Sequence, residues 1–188
     1  NQHPEIEWKN EPLEYYTSNQ LGAIAFKDLL LKMKRDSKRR YVGIEIKFLR
    51  DQHLSKNGLN STIDSFLNEV GKMGISNIIL LTRDNLLLRA ISVQRGQKTG
   101  RWHNRRFTDT IELSLDNFKV GEDRCTSLVD YFDETTEDYK LMRNSLKNRN
   151  LSYLSFSYEA DIEVNFDKTV TSIIKSLRNI GRSQASRA

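Results

Sequence analysis

Apolar positions along the chain recur with two different spacings, and together they predict alternating strands and helices. Three runs rich in apolar, β-favouring residues have the length of strands: 41–48, 78–81 and 151–159. Elsewhere apolar residues return every three or four positions, which is the spacing of a helix that buries one face. These helical patterns lie at 21–33, 60–73, 86–93, 126–150 and 166–177. Asn60 or Ser61 is the predicted cap of the second helix and Gly74 its predicted end, and the last helix is predicted to end at Gly181. In the helix at 126–150, Val129 is among the residues predicted to face the core, and the acidic middle is predicted to be solvated.

The order of these elements predicts an α/β fold. A strand at 41–48, a helix at 60–73 and a strand at 78–81 form a βαβ unit, whose strands are parallel and whose crossover is right-handed. The run at 78–81, Ile-Ile-Leu-Leu, predicts a strand that is buried on both faces. We therefore predict three layers, with a mainly parallel central sheet flanked by helices. The chain length favours a single domain over residues 1–181, followed by a polar, disordered tail at 182–188.

Composition and charge narrow the classes of partner. Of the 188 residues, 29% are charged and 37% are apolar, which is typical of a globular protein. The net charge of +5 and the pI of about 9.3 favour anionic ligands. No apolar run approaches the roughly 20 residues that a membrane-spanning helix needs, so no membrane span is expected.

The cysteine and histidine residues predict the compartment and exclude one kind of site. Cys125 is the only cysteine, so the chain forms no internal disulfide and fits a reducing, cytoplasmic location. His3, His53 and His103 have no metal-ligand spacing with one another or with Cys125. The sequence therefore predicts no zinc site.

The turn after the strand at 78–81 is the first candidate for a binding site. Asp84 or Asn85 is a suitable N-cap for the helix that follows. Arg83 therefore lies at the carboxyl end of a strand, where open α/β sheets bind their ligands. Ser92 follows about two turns into the helix, and together the two side chains can offer N–H donors and a hydroxyl to one phosphate. The alternative is an ordinary strand–turn–helix with a surface arginine and a helical serine.

The segment LLTRDNLLLRAISVQRGQKTGRWH, residues 80–103, resembles the segment that binds the 3′-phosphate in sulfotransferases using 3′-phosphoadenosine 5′-phosphosulfate (PAPS). It is most similar to the bacterial branch that sulfates trehalose glycolipids and nodulation factors. The resemblance implies that Arg83 and Ser92 hold the 3′-phosphate of the nucleotide. It also implies that Trp102 and His103 line a sugar pocket, although a tryptophan packed on a loop is an equally good interpretation.

Two further segments resemble the same family. Asn10-Glu11-Pro12-Leu13-Glu14-Tyr15-Tyr16 resembles its Gly-Glu-Pro-Phe-Glu-Tyr-Phe segment, which implies that Glu11 is the catalytic base. Lys47 matches the lysine of the family's Phe-Gly-x-Lys strand, and Tyr158-Glu159 matches a Tyr-Glu-x-Leu strand to which we assign a structural role. In the family, a strand and a 5′-phosphosulfate loop precede a sequence like 1–4, so the chain is expected to begin just after that loop.

The resemblance implies a PAPS-dependent sulfotransferase with a P-loop-like fold. Such an enzyme moves a sulfuryl group from PAPS to a hydroxyl of a carbohydrate or glycolipid and releases 3′,5′-adenosine bisphosphate. It requires no metal and no nucleic-acid partner. The identity of the acceptor and the oligomeric state stay open.

Two alternatives from other classes remain. Glu45-x-Lys47 on one strand also matches the core of a metal-dependent PD-(D/E)xK nuclease, in which a carboxylate binds the metal and the lysine lies beside the attacking water. That motif needs an earlier acid, for which Asp28 and Asp36 are the candidates. The other alternative is a non-catalytic, nucleotide-binding relic of the sulfotransferase fold.

Overall fold

The computed structural model describes residues 4–9, 26–50, 52, 62–75, 77–100, 110–120 and 124–185. Its contacts divide the chain into two compact units. The first comprises Asn1–Gly74 with Lys140–Ser145, and the second comprises Ile75–Tyr139 with Leu146–Ala188. The single domain predicted over residues 1–181 stays a prediction. Within the described ranges, no helix has both the length and the apolar character needed to cross a membrane.

The first unit contains one pair of strands and two helices. Strand β1 (Ile6–Lys9) pairs in parallel with β2 (Tyr41–Ile44), and the helices are α1 (Phe26–Asp36) and α2 (Ile63–Lys72). Among the described residues, the buried apolar side chains of this unit come from both helices, from the segment after β2 and from 140–145: Leu29, Leu49, Ile63, Leu67, Val70 and Met142. Their spacing on α2 is that of the predicted helical face.

Helix α2 has a side-chain cap at its start and a glycine at its end, and the sequence predicts the glycine but not the cap residue. The Ser65 N–H donates to Thr62 Oγ1 at 3.1 Å, so Thr62 is the N-cap, and the prediction of a cap further upstream, at Asn60 or Ser61, was wrong. Gly74 has φ +68°, the left-handed conformation that glycine adopts without steric cost, and it ends the helix as predicted.

The second unit contains two pairs of strands and three α-helices. Strand β3 (Ile78–Thr82) pairs in parallel with β6 (Tyr153–Ser157), and β4 (Phe118–Lys119) pairs antiparallel with β5 (Cys125–Thr126). The helices are α3 (Leu86–Thr99), α4 (Leu128–Asn148) and α5 (Phe166–Ala185). Residues 140–145 of α4 belong to the first unit. A π-helical segment, Tyr158–Glu163, joins β6 to the approach of α5. Helix α5 extends to Ala185 and thus beyond Gly181, where the sequence pattern predicts its end.

One core cluster of the second unit lies between α3, the β4 strand and the first turns of α4. Four buried residues form it: Ala90, Phe118, Leu128 and Tyr131. Helix α4 lies close to its predicted bounds, and its buried face agrees with the prediction at Leu128, Tyr139 and Met142 but not throughout. Val129 is 65% exposed although its apolar side chain predicts burial, and Asp138 in the acidic middle is only 6% exposed although a solvated face was predicted.

The mixed α/β class is confirmed, and two of the three strand pairs are parallel. Among the described residues, β2 pairs with β1 and β3 pairs with β6, so the βαβ unit that would join β2 to β3 stays a prediction. The described strands form three two-stranded sheets, and the three layers around one central sheet also stay a prediction. Strand β3 is not buried on both faces, because Leu80 and Thr82 are buried whereas Ile79 and Leu81 are 41% and 45% exposed.

Candidate functional site

The parallel pairing of β3 and β6 brings two polar turns together. The register places Thr82 opposite Ser157, so both strands end at the same edge. The next residues along each strand, Arg83-Asp84 and Tyr158-Glu159, therefore lie side by side at the carboxyl ends of parallel strands. This is the position at which open α/β folds place their ligands.

On the β3 side, a short turn leads directly into helix α3. The Leu88 N–H donates to Asn85 Oδ1 at 3.0 Å, and the Arg89 N–H donates to the Asn85 carbonyl at 3.1 Å. Asn85 is therefore the N-cap, which confirms one of the two predicted positions. The cap fixes the start of the helix immediately after Arg83 and Asp84.

On the β6 side, the strand passes into a π-helical segment. The Ser157 N–H donates to Asp161 Oδ2 at 2.7 Å, which ties the segment back to the end of the strand. The Thr169 hydroxyl donates to the Asp161 carbonyl at 2.8 Å and joins the same segment to α5. π-Helical turns are rare and occur frequently at functional sites.

Arg83 contacts the other turn through its side chain. Its guanidinium carbon lies 4.1 Å from the centre of the Tyr158 ring, which is a cation–π contact. The Arg83 backbone N–H donates to Tyr139 Oη at 3.2 Å. In the part of the chain that the structure describes, the guanidinium forms no ion pair within 4 Å. Its N–H groups can therefore serve an anionic ligand.

Glu159 binds the backbone of the turn that carries Arg83. The Asp84 N–H donates to Glu159 Oε2 at 2.9 Å. The Ser157 hydroxyl lies 2.6 Å from Asp84 Oδ2 and 3.4 Å from Glu159 Oε2, and its single proton goes to the nearer carboxylate. Burial raises the pKa of Glu159. Hydrogen bonds from backbone N–H groups, foremost that of Asp84, and the Arg83 charge together lower the pKa by more than burial raises it, so it lies below the usual 4.5.

Ser92, the second residue predicted to hold the phosphate, lies in the middle of α3 and is half-buried. It follows the cap residue Asn85 by about two turns, or about 10 Å along the helix axis. No hydrogen bond joins the side chains of Arg83 and Ser92, both of which the structure describes. Their joint use on one phosphate stays a prediction.

Lys47 lies in the first unit and beyond its strand. Strand β2 ends at Ile44, so the prediction of a strand through residue 48 was too long. Glu45 is exposed and Lys47 is half-buried, and both lie on irregular backbone, so the strand face that the nuclease alternative requires is not formed. Glu11, Trp102 and His103 lie outside the described residues.

Metal-ligating side chains and a cavity at the other end of β3 and β6 are the alternatives to this edge. Among the described residues, no group of three His, Cys, Asp or Glu side chains is arranged to hold a metal ion. A cavity of about 100 Å³ lies at the opposite, amino ends of β3 and β6, against α5, and no charged side chain lines it. The polar edge at Arg83 is therefore the candidate site of the second unit.

The sequence singled out Arg83 and Asn85 but did not indicate that Tyr158 and Glu159 contact the same turn. The available signal was that the runs at 78–81 and 151–159 both end in polar residues. These two runs are distant in sequence, and only their parallel pairing brings the polar residues at their ends together. Comparisons with models of known protein families, with curated proteins and with solved structures found no match.

Proposed function

We propose that this protein is a PAPS-dependent sulfotransferase that binds the 3′-phosphate of the nucleotide at Arg83. The observation that supports this most directly is the position of the Arg83 guanidinium. It lies at the carboxyl end of a parallel strand, against the Tyr158 ring at 4.1 Å. The proposal includes the P-loop-like, three-layer fold that the resemblance of residues 80–103 implies.

The chemistry of the guanidinium suits a phosphate. Arginine presents several N–H groups in one plane, and two of them can bind two phosphate oxygens at once. The described residues form no ion pair with this guanidinium, so its N–H groups are available to a phosphate. The Ser92 hydroxyl is the proposed second donor to the same phosphate. The net charge of +5 favours an anionic nucleotide.

Sulfuryl transfer needs little covalent chemistry from the protein. In this respect it resembles phosphoryl transfer, in which an attacking and a leaving oxygen are held in line. The acceptor hydroxyl forms the new S–O bond, the S–O bond to the 5′-phosphate breaks, and the hydroxyl proton passes to a base. We assign that base to Glu11, charge stabilisation to Lys47, and contact with a carbohydrate acceptor to Trp102 and His103.

The decisive experiment is calorimetric titration of the chain with 3′,5′-adenosine bisphosphate in a metal-free buffer. Arg83→Ala removes the proposed donors, and we expect its affinity for the nucleotide to fall at least about tenfold. Arg149→Ala is the matched control, because Arg149 is an exposed arginine outside the site, and it is expected to keep the wild-type affinity. Equal affinities of the Arg83→Ala and Arg149→Ala variants, or no binding by the wild type, would overturn the proposal.

A transfer assay separates an enzyme from a nucleotide-binding relic of the same fold. We expect labelled sulfate to pass from PAPS to a carbohydrate hydroxyl in the wild type and much less in Arg83→Ala. Nucleotide binding without transfer to any of a panel of sugars and glycolipids would instead favour the relic.

A further inference from the structure

We propose that Tyr158 and Glu159 are positioning residues that hold Arg83 in place for its anionic ligand. Tyr158 fixes the direction of the arginine side chain, and Glu159 fixes the backbone turn from which that side chain projects. The inference rests on the proposed function, because it assigns Arg83 to the nucleotide, and it adds two residues to which the sequence assigned only a structural role.

The Tyr158 contact acts on the most mobile part of the site. An arginine side chain has several rotatable bonds, and binding a ligand through it costs the entropy of ordering them. The Tyr158 ring, 4.1 Å from the guanidinium carbon, orders that group before the ligand arrives. Because the ring contact takes no guanidinium N–H for a hydrogen bond to oxygen, a phosphate can bind those N–H groups at the same time.

The Glu159 contact acts on the turn. Its Oε2 accepts the Asp84 N–H at 2.9 Å, one residue after Arg83. The Ser157 hydroxyl, 2.6 Å from Asp84 Oδ2, joins the same two strand ends through a second hydrogen bond. With Tyr139 Oη accepting the Arg83 N–H, three hydrogen bonds hold two consecutive residues of the turn.

The charges around Arg83 explain why these contacts matter for an anion. Asp84, Glu159 and Asp161 place three carboxylates at the same edge. Each accepts at least one hydrogen bond there, from the N–H of Asp84 or from the N–H or hydroxyl of Ser157, which fixes the position of the carboxylate and favours its charged form. A guanidinium that moved toward these carboxylates would form an ion pair and lose its donors to it. The Tyr158 ring holds it away from that pairing.

A double-mutant cycle tests the inference. We expect Tyr158→Leu and Glu159→Gln each to weaken binding of 3′,5′-adenosine bisphosphate about fivefold, whereas Tyr158→Phe, which keeps the ring, retains the wild-type affinity. In the Arg83→Ala background, neither substitution should weaken binding further, since both act through Arg83. Tyr153→Leu is the matched control, because Tyr153 lies on the same strand at its opposite end.

A second measurement does not depend on the ligand. We expect the Nε–H resonance of Arg83 in the nuclear magnetic resonance spectrum to carry a ring-current shift that Tyr158→Leu removes. Glu159→Gln should reduce the order of that group without abolishing folding, which thermal unfolding of the same sample checks. An unshifted Arg83 resonance in the wild type, or one that neither substitution changes, would overturn the inference.

The outcomes distinguish the two proposals. If Arg83→Ala leaves nucleotide affinity unchanged, the proposed function fails at its first step. If Arg83→Ala weakens binding while Tyr158→Leu and Glu159→Gln do not, only the positioning role fails. Losses that add fully to that of Arg83→Ala would show that the two residues act by another route, and they also contradict the inference.

Discussion

Gly43 is the residue at which the two strands of the first unit restrict side-chain size. The register of β1 and β2 places it opposite Trp8. A Cβ atom added at Gly43 would lie 2.3 Å from Trp8 Cε3, which is far closer than two carbon atoms can approach. The indole therefore lies over a position that is open only because glycine has no side chain.

We expect Gly43→Ala to lower the free energy of unfolding by about 1–3 kcal/mol, because the added methyl group forces the indole or the strand to move. Denaturant unfolding measures the change. Replacing the indole as well, in the double variant Trp8→Ala with Gly43→Ala, removes the clash. The Gly43→Ala effect should therefore be smaller in that background, and an equal effect in both backgrounds would contradict this explanation.

At the residue scale, local chemistry was the part that the sequence could predict. Asn85 was one of two predicted caps, because asparagine before an apolar helical pattern is a local signal. Tyr158 and Glu159 were assigned to structure alone, because their partners are Arg83 and Asp84, and Glu159 is 75 residues from Asp84. No local pattern encodes a partner at that distance.

Helix α3 depends on a single side chain at its start. Asn85 supplies the acceptor for the Leu88 N–H, and the first turn of the helix contains no acidic residue that would favour its positive end. Two side chains near its start are also about half exposed, Leu87 at 50% and Leu88 at 48%, so they add little buried apolar area. The Asn85 cap therefore contributes a large part of the stability of the first turn of α3.

We expect Asn85→Ala to lower the free energy of unfolding by about 1 kcal/mol, since it leaves the Leu88 N–H without its acceptor. Asn85→Ser keeps an oxygen at the same position and should lose much less. Chemical denaturation monitored by circular dichroism compares the two. Equal losses in both variants would mean that the cap bond is not the cause.

At the element scale, the helices were predicted better than the strands. The spacing of apolar residues predicts where α2 and α4 lie, because a helix forms its hydrogen bonds within itself. The same reasoning placed Val129 in the core, but helix rotation depends on neighbouring elements that the pattern does not contain. For β3, an apolar run predicted burial on both faces, whereas the strand buries one face and exposes Ile79 and Leu81.

The core of the second unit includes a buried phenol whose ionisation depends on pH. Tyr131 is 4% exposed and packs against Phe118, with ring centres 4.7 Å apart. Burial raises the pKa of Tyr131 above its ordinary value of 10.0, and the nearby Arg89 charge lowers it by less. Its hydroxyl has no hydrogen-bond partner in the described structure, so the ring rather than the oxygen contributes to stability.

The raised pKa fixes the sign of the pH dependence. The neutral phenol is favoured in the folded state, so this contribution is fully present below about pH 10 and is lost as the pH rises through the higher folded-state pKa. We expect Tyr131→Phe to unfold less readily than the wild type above pH 10. At pH 7 its stability should be equal to that of the wild type, or up to about 1 kcal/mol higher.

Unfolding at pH 7 and pH 10.5 measures both effects. Tyr139→Phe is the control, because the Tyr139 hydroxyl accepts the Arg83 N–H at 3.2 Å and its removal should cost about 1 kcal/mol at pH 7. A loss of stability in Tyr131→Phe as large as that of Tyr139→Phe would contradict the assignment of an unpartnered buried hydroxyl.

At the scale of the whole molecule, the sequence predicted the α/β class but not which strands pair. Parallel pairing joins strands that are separated by long connections, and several pairings satisfy the same apolar pattern. The sequence predicted that the strands before and after α2 belong to one βαβ unit, but it did not indicate that β3 pairs with β6. The candidate site depends on that pairing. For this reason the sequence did not indicate that Tyr158 and Glu159 lie beside Arg83.

The pairing of β3 with β6 also sets an order of events during protein synthesis. Strand β3 leaves the ribosome long before its partner, since the two turns that meet at the site are 75 residues apart. Until β6 is made, the hydrogen-bonding groups of β3 lack that strand, and closing so long a loop carries an entropic cost that slows folding. The edge that holds Arg83 and Glu159 is therefore assembled late, after α3 and most of α4 have been synthesised.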